Sequence, residues 1–235
     1  MKLNKTVAVI SGGMDSVTLA YMLDSEGHDL TLISFDYGQR HKKELECAAK
    51  CGDNLGVPHH IVDLSCLTPL VANSSLTNKD IAVPDGHYAA DTMKKTVVPN
   101  RNSIMMNIAA GLAVSIGARH IATGVHGGDH YIYPDCRPAF IKSLDTLLTI
   151  ANEGFIDTKF TVIAPYLYWT KADIVTVGND LNVQWNDTWS CYKGGDIHCG
   201  ACGTCFERRE AFIDAGVQDP TLYDSTPDYI DPRTT

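Results

Sequence analysis

The sequence contains no long hydrophobic run. Hydrophobic residues make up 44% of its 235 positions, an ordinary share for a globular protein. No apolar stretch approaches the ~18 residues that a membrane-spanning helix requires. The N-terminus does not resemble a signal peptide, because Lys2 and Lys5 precede only the short apolar run 7–10. We therefore expect a cytoplasmic protein with no membrane partner.

Positively charged residues are also scarce. Nineteen Lys and Arg residues stand against 28 Asp and Glu residues, which gives a formal net charge of −9. Such a chain lacks the broad basic surface with which proteins bind nucleic acids. We therefore expect no nucleic-acid partner, although a local basic pocket for a small acid is compatible with this charge.

Strand-like and helix-like segments alternate over the first two thirds of the chain. This alternation is typical of an α/β domain in which crossover helices join the strands of a parallel sheet. We therefore predict a doubly wound, five-stranded parallel sheet. Segment 65–93 lacks periodicity and is predicted to be a long loop or lid. The strands are predicted at 5–10, 30–35, 59–63, 120–124 and 160–164, and the helices at 16–26, 42–55, 103–116, 139–152, from 171, and at 206–215.

The first predicted strand leads directly into a loop with the sequence Ser11-Gly12-Gly13-Met14-Asp15-Ser16. A glycine-rich loop that opens onto a helix N-terminus forms a cradle for phosphate, because backbone N–H groups converge there and the helix dipole favours an anion. The usual nucleoside-triphosphate loop ends in Lys-Ser/Thr, whereas here Asp15 takes the place of the lysine. A carboxylate beside phosphates indicates a bridging Mg²⁺ ion.

Four of the eight cysteines lie close together near the C-terminus. Cys191, Cys199, Cys202 and Cys205 form the pattern C-x7-C-x2-C-x2-C, and four thiolates can close a tetrahedral shell around Zn²⁺. Because a closed shell leaves no position for a substrate, we predict a structural zinc site. An iron–sulfur cluster and a group of thiols without metal are the alternatives.

Three further polar runs carry candidate binding residues. Run 35–41 follows the second predicted strand, run 98–102 precedes a predicted helix, and run 133–138 lies in the loop after the fourth strand. Ligands of open parallel sheets bind at the carboxyl ends of the strands, where these runs are expected to lie. Aromatic, amide and guanidinium groups suit a planar heterocycle, a phosphate or a carboxylate. The candidate side chains are Tyr37, Gln39, Arg40, Arg101, Asp135 and Arg137.

The glycine loop resembles the pyrophosphate loop of the N-type ATP pyrophosphatases, which cleave ATP between the α and β phosphates. With the polar runs and the cysteines added, the chain resembles the 7-cyano-7-deazaguanine synthases, the nitrile-forming enzymes of the queuosine precursor pathway. The resemblance covers nearly the whole chain. Besides the cysteine pattern it is carried by runs 11–16, 35–41, 74–77, 98–102, 133–137, 170–172 and 188–191.

The resemblance implies a fold, a reaction and an assembly. The fold is an adenine nucleotide alpha hydrolase-like domain over residues 1–184 with a zinc-binding helical extension over residues 185–235. The reaction converts 7-carboxy-7-deazaguanine and ammonia into the nitrile through an adenylated acid and an adenylated amide, with release of AMP and pyrophosphate. The assembly is a homodimer.

The resemblance also implies roles for individual residues. Those expected to bind ATP with its Mg²⁺ ion are Ile10, Ser11, Gly12, Gly13, Met14, Asp15, Ser16, Val17, Tyr37, Gln39 and Arg40. The expected catalytic residues are Asp15, Ser16, Arg101, Asp135 and Arg137. The last three are expected to lie near the heterocycle or its carboxylate.

Several alternatives stay open at this point. An enzyme that stops at the amide would share the first adenylate, a tRNA sulfur-transferase would share the glycine loop, and a zinc-binding adaptor would share the cysteines. Cys136 is either a nucleophile or a buried thiol. His126 and His130, which commoner members of the family lack, either orient ammonia or deprotonate ammonium as general bases, or they are loop residues without a chemical role.

Overall fold

Five parallel strands form a single sheet at the centre of the molecule. The computed structural model describes residues 4–156 and 160–229. The strands lie in the order β3-β2-β1-β4-β5, and every neighbouring pair is parallel. Their direction of winding therefore reverses between β1 and β4, and such a reversal opens a crevice at the carboxyl ends of the strands. The strands are β1 (Lys5–Val9), β2 (Asp29–Asp36), β3 (His59–Asp63), β4 (His120–Ala122) and β5 (Thr161–Ile163).

Six α-helices of the described residues cover both faces of the sheet. Successive residues of a strand point to opposite faces, so Val7 packs with α3 and α4 while Ala8 packs with α1, α2, α5 and α6. This two-sided burial confirms the doubly wound architecture that the sequence predicts. The helices are α1 (Met14–Ser25), α2 (Lys43–Leu55), α3 (Arg101–Ser115), α4 (Pro138–Ala151), α5 (Lys171–Asp180) and α6 (Gly203–Asp214).

Helix α3 begins two residues earlier than the sequence pattern predicts. The carboxylate Oδ2 of Asp135 accepts a hydrogen bond from the backbone N–H of Asn102 at 3.0 Å, which satisfies one of the unpaired donors in the first helical turn. This bond joins positions 33 residues apart and therefore leaves no local signal in the sequence. As a consequence, Arg101 lies in the first turn of α3 rather than in the preceding loop.

The segment between β3 and α3 is irregular, as predicted, but it is packed firmly against the sheet. Short 3-10 turns occupy Ser65–Val71 and Asp91–Thr96, and Leu76 between them is fully buried. The guanidinium of Arg40 donates hydrogen bonds to the backbone carbonyl oxygens of Asn78 and Ile81. Arg40 therefore anchors this segment.

Arg208 ties the C-terminal part of the chain together. Its side chain on α6 is fully buried and donates hydrogen bonds to Thr188 Oγ1 at 2.7 Å and to the carbonyl oxygen of Trp185 at 3.3 Å. Its Nε lies 3.4 Å from Asp219 Oδ1. A buried charge needs such partners, because its transfer out of water is costly.

The expected division into residues 1–184 and 185–235 stays a prediction. Phe212 of α6 belongs to the same apolar cluster as Ala8 of β1, so the C-terminal part shares the main core on one face of the sheet. Positions 1–3, 157–159 and 230–235 of this division lie outside the described residues. Among the described helices, none combines the length and the apolar character that crossing a bilayer demands.

At Gly12, the backbone of the glycine loop comes into close contact with the backbone of α2. Its φ angle is +89°, and a Cβ atom at this position would lie 1.9 Å from the carbonyl oxygen of Glu44 in α2. Only glycine adopts this conformation without strain and leaves room for the carbonyl.

We predict that Gly12→Ala destabilises the protein by about 2–5 kcal/mol, because left-handed strain of roughly 1–2 kcal/mol adds to an overpacking cost of about 1–3 kcal/mol. Gly27→Ala is the matched control, since Gly27 also has positive φ (+78°) but no atom would lie within 4 Å of its Cβ. Urea unfolding measures both changes. Equal losses of stability in the two variants would contradict the steric argument.

Candidate functional site

A cavity of about 200 Å³ lies where β1, β2 and β4 end. Its floor includes Ile10 after β1, Phe35 near the end of β2 and Thr123 after β4. This is the crevice at the reversal of winding, where open α/β sheets bind their ligands.

Two serine hydroxyls close the glycine loop at one wall of the cavity. Ser16 Oγ accepts a hydrogen bond from the backbone N–H of Ser11 at 3.1 Å and lies 3.1 Å from Gly13 O, to which it donates. Ser11 Oγ accepts from the Gly13 N–H at 3.3 Å. No side chain caps the N-terminus of α1, which follows Gly13. The uncapped N–H groups of its first turn therefore form a site suited to an anion.

Four charged side chains from separate elements meet beside this loop, and we call them the charged cluster: Asp15, Asp129, Lys171 and Glu207. Lys171 Nζ lies 3.2 Å from Asp15 Oδ2 and 2.6 Å from Glu207 Oε2. The hydroxyl of Tyr88 donates to Asp129 Oδ1 at 2.9 Å. Three carboxylates share one ammonium group, so the cluster carries a net negative charge when all four are ionised.

Burial and mutual contacts set the ionisation of the cluster. Burial opposes the charge of Lys171, but Asp15 and Glu207 raise its pKa above the ordinary value. Burial likewise opposes the charge of Asp129, yet His126, Lys171 and the Tyr88 hydroxyl together lower its pKa. Burial raises the pKa of Glu207, although Lys171 acts in the opposite direction. Lys171 is therefore a cation and Asp129 an anion near neutral pH.

Arg101 faces the cavity from an aromatic wall. Its neighbours there include Tyr37, Tyr133 and Tyr192. Burial raises the pKa of Tyr37 to about 12 despite the opposing charge of Arg101, so the phenol is neutral. A guanidinium among flat aromatic rings suits a planar ligand that carries an anionic group.

The structure brings together part of the residue set that the sequence predicts. Gly12 of the loop is buried against the backbone of α2, and Val17 is buried in the apolar core. Gln39 Oε1 accepts a hydrogen bond from the backbone N–H of Tyr37 at 2.9 Å, and Arg40 anchors segment 65–96 as described above. The predicted residues that line the cavity are Ile10, Ser11, Gly13, Met14, Asp15, Ser16, Tyr37 and Arg101.

Asp135 and Arg137 are not part of the cavity wall. Asp135 caps α3 through Asn102, and Arg137 Nε donates to the carbonyl oxygen of His130 at 2.9 Å. Both side chains therefore support backbone near the site. In the sequence, these two residues are simply charged positions in a polar run. A residue that caps backbone and a residue that contacts a ligand look the same in such a run.

Lys171 and Glu207 are functional candidates to which the sequence analysis gives no role. A capping box in which Thr170 and Asp173 bond each other's backbone starts α5, and this signal places Lys171 in the first helical turn. Glu207 has no comparable signal, because it follows a cysteine of the metal pattern and resembles an ordinary exposed helix residue.

Cys136 lies in the cavity wall but has the properties of a structural thiol. Asn102 Nδ2 donates a hydrogen bond to its Sγ atom at 3.2 Å. Burial raises the pKa of Cys136 well above the ordinary value, so the thiol keeps its proton near neutral pH. Since the thiolate is the nucleophilic form, this environment favours the buried-thiol interpretation.

The four C-terminal cysteines come together as the spacing predicts. Their Sγ atoms all lie within 4.8 Å of one another, and a tetrahedral shell with 2.3 Å bonds requires sulfur separations of roughly 3.8 Å. The backbone N–H of Cys199 donates to Cys191 Sγ at 3.4 Å, and that of Cys202 donates to Cys199 Sγ at 3.3 Å. Such N–H···S contacts support metal thiolates. The four thiols can therefore hold a metal ion.

His198 is not needed as a ligand of this cluster. Its Nε2 atom accepts a hydrogen bond from the backbone N–H of Ser190 at 3.0 Å, and its ring packs against Trp189 with centroids 4.2 Å apart. The histidine therefore links the cysteine cluster to segment 188–192, part of which lines the cavity.

The family model described as "Queuosine biosynthesis protein QueC" matches residues 5–216 of this sequence. The chain belongs to the QueC family. A protein of Brucella anthropi named 7-cyano-7-deazaguanine synthase is 58% identical over 221 residues, which cover 94% of each chain. A protein of the same name from Agrobacterium fabrum is 55% identical over 225 residues, which cover 96% of this chain and 94% of that protein.

The fold is also similar to that of solved structures of proteins with other names. The NMN synthetase of Francisella tularensis superimposes with a TM-score of 0.51 at 12% identity, over 92% of this chain and 79% of that chain. At this level of identity the likeness shows the fold alone.

We predict that Cys202→Ser releases a metal ion bound by the cysteine cluster and lowers the melting temperature, because metal binding contributes directly to the free energy of folding. Cys66→Ser is the control, since Cys66 is exposed and lies outside the cluster. Elemental analysis of the purified proteins measures the metal content. A stoichiometric metal ion in both variants would contradict the assignment.

Proposed function

We propose that this protein is an ATP-dependent ligase that converts 7-carboxy-7-deazaguanine and ammonia into 7-cyano-7-deazaguanine. Membership of the QueC family and the names of the two close relatives support this activity. The cavity supports this activity, because it joins the glycine loop, whose uncapped N–H groups suit an anion, to an aromatic wall that holds the Arg101 guanidinium. The first wall suits ATP phosphates and the second suits a planar acid.

The reaction needs activation of a poor electrophile. The charge of a carboxylate repels nucleophiles, and oxide is a poor leaving group. Attack of the carboxylate on the α phosphorus of ATP forms an acyl adenylate and releases pyrophosphate. Ammonia then displaces AMP to give the amide. The amide oxygen then attacks the α phosphorus of a second ATP and releases a second pyrophosphate, and loss of AMP and of the two N–H protons gives the nitrile.

The glycine loop is proposed to bind the phosphates in both adenylations. The uncapped N–H groups of α1 are fixed donors, and donors fixed before the reaction stabilise charge that develops on a leaving pyrophosphate. Lys171 adds a positive charge beside Asp15. Asp15 and Ser16 are thus the proposed catalytic residues of this wall.

Asp15 fits the Mg²⁺ ion that accompanies ATP. Its Oδ1 atom is buried and makes no hydrogen bond to any described residue, and Mg²⁺ binds through one or two carboxylates together with substrate phosphates. When bound, the ion neutralises negative charge on the phosphate oxygens. Asp15 would hold it, while Lys171 keeps the carboxylate in place.

Arg101 is proposed to bind the carboxylate-bearing heterocycle. Its guanidinium offers paired donors to a carboxylate, and Tyr37, Tyr133 and Tyr192 provide apolar surface for a flat ring. Asp135 is a positioning residue, because it caps the helix that carries Arg101. Arg137 is a positioning residue for the loop around His130.

The cysteine cluster is proposed to hold a structural Zn²⁺ ion. Four thiolates complete its tetrahedral shell and leave no site for a substrate. The ion would hold segment 188–205 in place, and Trp189, Ser190 and Tyr192 of this segment line the cavity. We further propose that the protein forms a homodimer, which sedimentation tests. We also propose that the chain divides into two domains, 1–184 and 185–235, which limited proteolysis tests.

We predict that Asp15→Asn lowers AMP formation at least about a hundredfold without unfolding the protein, since catalysis loses a charged group at the phosphates. Asp24→Asn is the matched control, because Asp24 lies on the same helix and is exposed. The assay follows AMP by chromatography with the acid, ammonium and MgATP present, and circular dichroism monitors the fold. Wild-type turnover of the Asp15 variant would refute the proposed role of the loop.

A further inference from the structure

The ring of His126 lies at the centre of the charged cluster and uses only one of its nitrogen atoms. The side chain is 1% exposed, and its Nε2 atom makes no hydrogen bond to any described residue. Nε2 lies 3.5 Å from Asp129 Oδ1, 3.9 Å from Asp15 Oδ2 and 4.0 Å from Glu207 Oε1. A buried polar nitrogen thus faces three carboxylates that come from separate elements.

The other ring nitrogen fixes the tautomer. His126 Nδ1 accepts a hydrogen bond from the backbone N–H of Gly128 at 3.1 Å. A backbone N–H can only donate, so Nδ1 carries no proton and the ring proton belongs to Nε2. The carboxylate of Asp129 lies 3.5 Å from the backbone nitrogen of His126, and the two residues form a capping box around the turn Gly127–Tyr131.

The turn Gly127–Tyr131 restricts the position of the His126 ring. A Cβ atom on Gly128 would lie 2.9 Å from His126 Cε1, and one on Gly127 would lie 2.9 Å from the carbonyl oxygen of Trp169. Gly128 therefore permits the close approach of the imidazole, and Gly127 permits the close approach of the Trp169 backbone. A ring flip would exchange Nδ1 for a carbon atom and would lose the bond to Gly128.

We propose that His126 is a positioning residue whose ring presents a fixed Nε2–H group to the carboxylates of Asp15 and Asp129. It is not the general base for ammonium, because Nε2 already carries a proton and Nδ1 is occupied by Gly128. The tautomer follows from the geometry alone, whereas the catalytic consequence rests on the proposed function.

The Nε2–H group of His126 is proposed to matter when MgATP binds. Lys171 contacts Asp15 and Glu207 in the structure, and phosphate oxygens would compete for its charge. The N–H group of His126 then supplies a donor that holds Asp15 and Asp129 in place. Hydrogen bonds of this kind are often long before substrate binds and shorten in the complex, which agrees with the present distances of 3.5–3.9 Å.

Two substitutions distinguish the roles of the two ring nitrogens of His126. His126→Asn retains an acceptor near the position of Nδ1, because asparagine is a good turn cap, but it removes the Nε2–H donor. His126→Gln retains an amide N–H near the position of Nε2 and gives up the cap. We expect the Asn variant to keep a melting temperature close to that of the wild type.

We also expect the Asn variant to lose kcat about ten- to hundredfold, which corresponds to the loss of one hydrogen bond to a charged group. Its KM for MgATP should rise while its KM for the acid stays unchanged. The Gln variant should melt at a lower temperature and yet retain a larger share of kcat. A purely structural role predicts the opposite order of activities.

Long-range ¹H–¹⁵N NMR of the labelled ring observes the tautomer directly and does not depend on any assay of turnover. We expect a protonated Nε2 and an unprotonated Nδ1. A proton on Nδ1, full turnover in His126→Asn, or a Gln variant no more active than the Asn variant would each overturn the proposal. If the wild-type protein forms no AMP from the acid, ammonium and MgATP, the proposed function fails, and the ring NMR still decides the tautomer.

Discussion

The backbone at Gly12 contacts two other parts of the chain at once, and the arrangement of the site depends on these contacts. The missing side chain lets the carbonyl oxygen of Glu44 approach from α2, and the carbonyl oxygen of Gly12 accepts a hydrogen bond from the backbone N–H of Trp189 at 2.9 Å. Trp189 in turn packs on His198, next to Cys199. One turn of backbone thereby connects the phosphate cradle with the cysteine cluster.

Electrostatics indicates that the charged cluster contributes little to the stability of the fold. Burying ionised groups costs several kcal/mol each, and attraction between partners often does no more than offset that cost. Asp15, Asp129 and Glu207 share a single lysine, so the cluster is less well compensated than a simple ion pair. Groups with strongly perturbed pKa values are concentrated at functional sites, and bound MgATP would complete the charge balance of this cluster.

Local patterns in the sequence predict the sheet, the glycine loop and the cysteine cluster, because each depends on neighbouring residues. Alternation of apolar segments reveals the strands, and cysteine spacing reveals the ligand set. The convergence of Lys171 with Glu207 depends instead on the packing of α5 against α6, which no local pattern records. Asp135 shows the opposite case. Its charge suggests a ligand contact, whereas in the structure its carboxylate caps α3, and no local pattern in the sequence indicates this bond.

We propose above that one cavity carries an acid through two adenylations to a nitrile. Mass spectrometry of the products that the wild-type protein forms from 7-carboxy-7-deazaguanine, ammonium and excess MgATP tests it most directly. We expect 7-cyano-7-deazaguanine as the final product, with two molecules of AMP for each nitrile. Accumulation of the amide alone in excess ATP, or AMP formation that does not depend on the acid, would contradict it.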